Sequence, residues 1–266
     1  MRTRRPFPIA LAIATVLLSS TVASAQERAV QTTNFQLSVA ASDTDTKDSL
    51  SSGKLRIGAA ATIPLGQYFG ASVAGAYSDV NVRTRDVLGG GLSAGGQNSC
   101  GFNGTEADVA LFARRPSLGK IGVSYGLGRL SPDCGASSVF VATGDEKLRT
   151  DNYRIDAEIY VRDLTFAVAR TSTDLDGHQT LESTAWSTSW YPLDSLRITA
   201  SGNDLYDQDS YGLRLDHQPE FLGDVLGVHV GYSMTDVHPR IRTITVGFAY
   251  YFGAQTSLKT RDREYR

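Results

Sequence analysis

From Thr33 to Ser42 the chain alternates, with Phe35, Leu37, Val39 and Ala41 on one side of an extended backbone and Asn34, Gln36 and Ser38 on the other. A period of two marks a strand with one apolar face. Lys54 to Ile63 repeats the pattern through Leu55, Ile57, Ala59, Ala61 and Ile63. Asn152 to Arg162 sets Tyr153, Ile155, Ala157, Ile159 and Val161 against Asn152, Arg154, Asp156, Glu158 and Arg162. About twelve such segments follow one another, each approaching the ~9–11 tilted residues that cross a bilayer as a strand. No helical period and no domain linker interrupt them.

The connections alternate too. Pro64-Leu65-Gly66-Gln67, Arg115-Pro116-Ser117-Leu118-Gly119, Arg162-Asp163, Tyr191-Pro192-Leu193-Asp194 and Gln218 to Asp224 are brief turns rich in Pro, Gly and Asp. Between them lie longer, more polar stretches: Asp43 to Ser52, Asp79 to Asn103, Ser131 to Thr150, Ser172 to Gln179, Asn203 to Asp209 and Asp236 to Arg240. Short turns on one rim and long loops on the other are the habit of a membrane-spanning barrel. A soluble sandwich has the same strand period, so alternation alone does not decide. The loop asymmetry, the aromatics near strand ends (Tyr68, Phe69, Tyr153, Tyr191, Tyr250, Phe252) and the last strand tip the balance. The expected fold is all-β: one antiparallel up-and-down transmembrane β-barrel of about twelve strands, with ten or fourteen as alternatives.

Composition agrees once the barrel is considered. The 266-residue chain has a mean hydropathy of −0.19, and beyond its start no apolar run approaches the ~20 residues of a spanning helix. A barrel hides its apolar half at every second position, so this value does not imply a soluble protein. The start reads as a signal peptide over residues 1–25: basic Arg2, Arg4 and Arg5, an apolar core from Ile9 to Leu18, then the small-residue site Ala23-Ser24-Ala25. Thr3-Arg4-Arg5-Pro6-Phe7 only faintly resembles a twin-arginine signal. No Cys follows the cleavage site, which argues against a lipid anchor. The formal charge of −2 becomes more negative once the leader's arginines are removed, and an acidic product offers nucleic acid no footprint. Two cysteines in an exported chain, Cys100 and Cys134 in neighbouring long loops, suggest a disulfide.

The last segment reads Thr245-Val246-Gly247-Phe248-Ala249-Tyr250-Tyr251-Phe252. It resembles the C-terminal signal of bacterial outer-membrane β-barrel proteins of the porin-like kind: a polar residue, Gly two places on, then hydrophobic residues at the fifth and seventh places. Here these are Thr245, Gly247, Tyr250 and Phe252. The resemblance implies a Gram-negative outer-membrane location, lipid and lipopolysaccharide as surroundings, and recognition by the barrel-assembly machinery through strand pairing. Members of that family usually end at the aromatic, whereas here a polar stretch, residues 253–266, continues. It is expected to be a flexible periplasmic tail.

Candidate chemistry was sought on this frame. His178, His217, His229 and His238 accompany no Gly-x-Ser-x-Gly or His-Glu-x-x-His motif, so no catalytic residue is assigned. Asp43-Thr44-Asp45-Thr46-Lys47-Asp48 lacks the Gly and Glu of a calcium loop. Gly89-Gly90-Gly91 and Gly95-Gly96 lack the Lys and helix of a phosphate loop. No metal and no cofactor are expected. If apolar residues face lipid, the lumen receives Lys54, Arg56, Asp108, Arg154, Asp156, Glu158, Arg197, Arg214, Asp216 and His229. A mid-depth Arg or Lys on the lipid face costs about 2–4 kcal/mol, which turns these residues inward. Small residues at Gly58, Ala60, Gly70, Gly126, Gly128, Gly212 and Gly231 share their side and leave volume unfilled. Trp186 and Trp190 share a face with Glu182 and are expected towards lipid, Glu182 above it. Arg170 and Arg242, on the nominal lipid face near the outer rim, are positioned for lipopolysaccharide phosphates.

The expected function is a narrow porin-like channel for passive diffusion of small hydrophilic solutes or ions, not an enzyme. The alternative is a structural or surface-interaction barrel with a filled lumen, binding lipopolysaccharide or external ligands. An outer-membrane enzyme ranks third.

Overall fold

The computed structural model describes residues 28–46, 50–84, 99–134, 147–176, 179–205, 208–236 and 240–266. The leader, the Gly-rich run, Lys47, Asp48, His178 and His238 lie outside these residues. The chain forms twelve strands: β1 (Asn34–Thr46), β2 (Leu50–Pro64), β3 (Phe69–Thr84), β4 (Ser99–Arg115), β5 (Gly119–Cys134), β6 (Leu148–Val161), β7 (Leu164–Leu175), β8 (Gln179–Leu193), β9 (Leu196–Leu205), β10 (Gln208–His217), β11 (Leu226–Thr235) and β12 (Ile241–Phe252). Each pairs antiparallel with its neighbour in sequence, and β1 pairs with β12 to close the ring. At that seam Leu37 stands opposite Tyr250, Val39 opposite Phe248 and Ala41 opposite Val246. Closure leaves no strand edge unpaired, as a hydrocarbon environment demands.

The alternating side chains decide between barrel and sandwich. Leu37, Ile57, Ile155 and Val246 would be buried against one another in two stacked sheets, yet each is between 42 and 61 % exposed on the outer surface. Val73, Leu111, Val123, Leu213 and Ile244 continue this apolar girdle around the ring. An exterior of this composition is stable only in lipid. Trp186 and Trp190 belong to it, as expected. The Gly202 backbone lies under the Trp186 ring, where a Cβ would collide with the indole.

Strands run further than the sequence pattern indicated. β3 extends through Thr84 and β4 begins at Ser99, so Cys100 and Cys134 sit in strand ends rather than in loops. Polar outer ends such as these keep pairing because the ladder is held by the backbone, which carries no hydropathy signal. The short connections all lie at one rim. The turn between β6 and β7 is two residues long, with Arg162 at a left-handed φ of 50, the conformation that hairpins of this length require.

The largest correction concerns residues 253–266. They are not a free tail: Leu258–Glu264 forms helix α1, which folds back into the short-turn mouth. The Ser257 side chain caps the helix by accepting from the Thr260 amide at 3.4 Å. Leu258 and Arg261 are fully buried. A polar stretch is stable there because the mouth supplies carbonyls and charges for nearly every polar side chain it carries.

Candidate functional site: the lumen and its short-turn mouth

Alternation along each strand carries every second side chain inward. Lys54 and Arg56 on β2, Asp108 on β4, Arg154, Asp156 and Glu158 on β6, Arg197 on β9, Arg214 and Asp216 on β10, and His229 on β11 all face the interior. Glu106, Arg114 and Lys120 join them, although they were not singled out above. They have the same parity as their neighbours, which was the available signal, but they sit next to a loop or a turn.

These charges form three groups. Arg56 donates to both oxygens of Glu106, at 3.2 and 2.7 Å. Lys120 lies 2.8 Å from Glu158 and 3.5 Å from Asp156, and the Tyr160 hydroxyl donates to Glu158 at 2.9 Å. Asp216 receives Arg214 at 2.7 Å and Arg197 at 3.1 Å. Towards the long-loop end the wall turns from charged to hydroxyl-lined. Ser42 and Thr245 meet across the seam at 2.9 Å, as do Thr44 and Thr243. Three recesses of about 320, 370 and 270 Å³ open between these groups. The small residues create this space: Gly126 and Gly212 line the wall beside Asp108 and Ser201.

One glycine of the last strand has a packing role. A Cβ on Gly247 would run into the His229 ring and approach the Val39 carbonyl at 2.8 Å. The residue therefore lets the imidazole lie flat against the wall. His217, by contrast, ends β10 with Nδ1 3.2 Å from the Ser195 carbonyl.

The short-turn mouth is crossed by the chain's own ends. Asn34 on β1 donates to the Tyr265 carbonyl at 3.3 Å. Arg263, two residues away, donates to the Leu164 carbonyl on β7 at 2.9 Å and to the Arg162 carbonyl at 2.7 Å. β1 and β7 stand six strands apart in either direction around the ring, so the C-terminal end of α1 and the residue after it tie opposite sides of the mouth. Lys259 holds the rim through Asp163 at 2.6 Å and Asp194 at 3.6 Å. That hydrogen bond from Lys259 keeps the Asp163 carboxyl below its ordinary range. Arg261 donates to the carbonyls of Asp224, Ala254 and Thr256 and stacks on Tyr251 at 4.1 Å. Its burial lowers its guanidinium from the usual value. Tyr191, one of the aromatics near strand ends, points into the mouth and donates to Asp262 at 2.8 Å. The rest of the opening is filled by residues preceding β1. The Ala29 amide donates to the Gln67 carbonyl at 2.7 Å, Arg114 donates to the Ala29 carbonyl, and Val30 packs against Gly70 and Phe112.

Outside the barrel, Arg170 is not a free cation. It lies 2.5 Å from Glu182 on the outer surface, and both side chains are exposed. Arg242 faces outward, with Asp45 as its register partner across the seam.

No protein-family model matches the sequence, and no curated protein matches it. Solved structures do. The COG4313 outer membrane channel from Pseudomonas putida F1 superposes with a TM-score of 0.65 at 9 % identity, over 87 % of this chain and all of that one. The fold is that of a bacterial outer-membrane β-barrel. The KdgM porin in complex with oligogalacturonate gives 0.52 at 12 % identity, over 82 % of this chain and 99 % of that one. The β domain of the Bordetella autotransporter BrkA gives 0.50 at 8 % identity, over 83 % and 99 %. At such identities the likeness concerns the architecture.

Proposed function

We propose that this chain, exported through a cleaved signal peptide, forms a narrow outer-membrane channel for passive diffusion of small hydrophilic solutes or ions. One observation carries the reading: the inward arginines Arg56, Arg154 and Arg214 are 42 to 52 % exposed within the barrel. All three are paired with carboxylates, but a filled barrel would pack their guanidiniums away, whereas these stand open to the interior. Two of the structurally similar proteins are described as a channel and a porin, which fits. The ten inward residues predicted from sequence then line the path, Thr245, Gly247, Tyr250 and Phe252 serve assembly, and Cys100 and Cys134 form a bridge at the outer end.

The closed mouth favours a second reading, a barrel sealed by α1 that serves as a surface scaffold through its long loops. Single-channel recording on the refolded mature chain in planar bilayers separates the two. Discrete conductance steps support the channel. Silence in the full chain together with conductance in a variant ending at Phe252 would establish the barrel sealed by α1.

A further inference from the structure

Three of the interior ion pairs share an asymmetry, while the Lys120 and Arg197 pairs are buried on both sides. Arg154 is 52 % exposed while its partner Asp156 is 17 %; Arg214 is 42 % exposed while Asp216 is 10 %; Arg266 is 46 % exposed while Asp262 is 9 %. The carboxylates are tucked against the wall or the helix, and the guanidiniums stand out into the lumen. Among the described interior pairs, Arg56–Glu106 is exposed on both sides, at 42 and 49 %.

This asymmetry is concentrated in the recess of about 370 Å³, bordered by Lys54, Arg56, Arg214, His229 and Arg266 together with Ser38, Ser42 and Thr245. Its single side-chain carboxylate among the described residues is Asp216, and both oxygens are engaged, Oδ1 by Arg214 and Oδ2 by Arg197. Arg197, Arg214 and Arg266 share two carboxylates, Asp216 and Asp262. Lys54 has no carboxylate within ion-pair reach among the described residues. Glu106 and Asp108 open on the adjoining recess, where Arg56 and Arg266 stand beside them. Cations on a concave wall backed by low-dielectric strands concentrate the field in the space between them, and the three hydroxyls supply neutral donors for further oxygens.

We infer that this recess binds small multivalent anions, solutes carrying two or more carboxylate or phosphate groups. The inference rests on the lumen being water-filled and names the solute class it favours. Lys54 supplies charge without a carboxylate partner among the described residues, Arg266 adds a guanidinium shared with Asp262, Arg214 supplies a planar donor fork, and Ser42 and Thr245 complete the shell.

The test uses refolded mature barrel and inorganic pyrophosphate, titrated calorimetrically at low salt, with zero-current potentials recorded in a KCl gradient. Pyrophosphate binds, binding weakens as salt rises, and the double variant Lys54→Gln, Arg266→Gln loses at least tenfold in affinity. Lys147→Gln, an exposed lysine beyond the lumen, changes nothing. The zero-current potential has the sign of anion preference and moves towards neutrality in the double variant. Pyrophosphate binding in a barrel that carries no current would uphold the site while removing the channel reading. Conductance with cation preference, or pyrophosphate binding that is equal in the double variant, would overturn the site while leaving the channel standing.

Discussion

Arg197 on β9 and Asp262 on α1 meet at 2.6 Å, joining the barrel wall to the element that crosses its mouth. Tyr191 adds a hydroxyl to the same carboxylate at 2.8 Å. An inward arginine of the strands thus finds its partner in a stretch of chain that no strand pattern connects to it.

Removing that carboxylate loosens the helix. Asp262→Ala leaves Arg197 with Asp216, so the loss is that of a charged hydrogen bond, about 1.5–3 kcal/mol, and not of a stranded charge. The C-terminal residues become accessible to protease from the turn side. Conductance in planar bilayers rises several-fold, approaching that of the chain ending at Phe252. Unchanged protection and conductance would show that α1 is held elsewhere.

Acidification acts on the other side of the same helix. Lys259 holds the Asp163 carboxyl below its ordinary value of 3.8. A lowered value means that the contact contributes fully above the ordinary carboxylate range and is lost as pH falls through the lowered one. Protease protection of α1 therefore declines at strongly acid pH, and Asp163→Asn removes this part of the decline. Both groups reach solvent, so the effect is small.

The two faces of the wall on either side of β1 differ in tolerance. Ile57 is exposed on the outer surface opposite Val39, whereas Thr245 faces the lumen opposite Ser42. Ile57→Arg costs about 2–4 kcal/mol in lipid, while Thr245→Arg costs far less. Equilibrium folding into phospholipid vesicles measures both, and equal losses would contradict the assignment of faces.

The register sets Cys100 directly opposite Cys134. Opposed residues on antiparallel strands have Cα atoms roughly 4.5–5.5 Å apart, inside the range a disulfide spans. The mature protein purified without reductant takes up alkylating reagent at both cysteines only after reduction. Uptake before reduction would exclude the bridge.

Much of this architecture is legible in the residues because lipid imposes a rule on every second position. Leu37, Ile57 and Val246 announce their face, and by elimination Arg56, Arg154 and Arg214 announce theirs. The alternation of turns such as Pro64-Leu65-Gly66-Gln67 with longer loops set an even strand number. Strand ends were misread because Cys100 and Thr84 lie beyond the membrane, where backbone pairing continues and side-chain polarity no longer reports it. The direction of Tyr191 is not legible in the sequence, since an aromatic at a rim suits either lipid or the mouth, and only its neighbour Asp262 decides.

The sequence by itself determined a closed sheet with charged side chains turned inward, since local periodicity and turn chemistry depend on nearest neighbours along the chain. Only the tertiary structure decided what occupies the mouth. Lys259, Arg261 and Arg263 are polar residues in a polar stretch, indistinguishable from a solvated tail. Their partners are the carbonyls of Arg162, Leu164 and Asp224 and the carboxylate of Asp163, which are brought together by barrel closure and carry no mark in the local pattern.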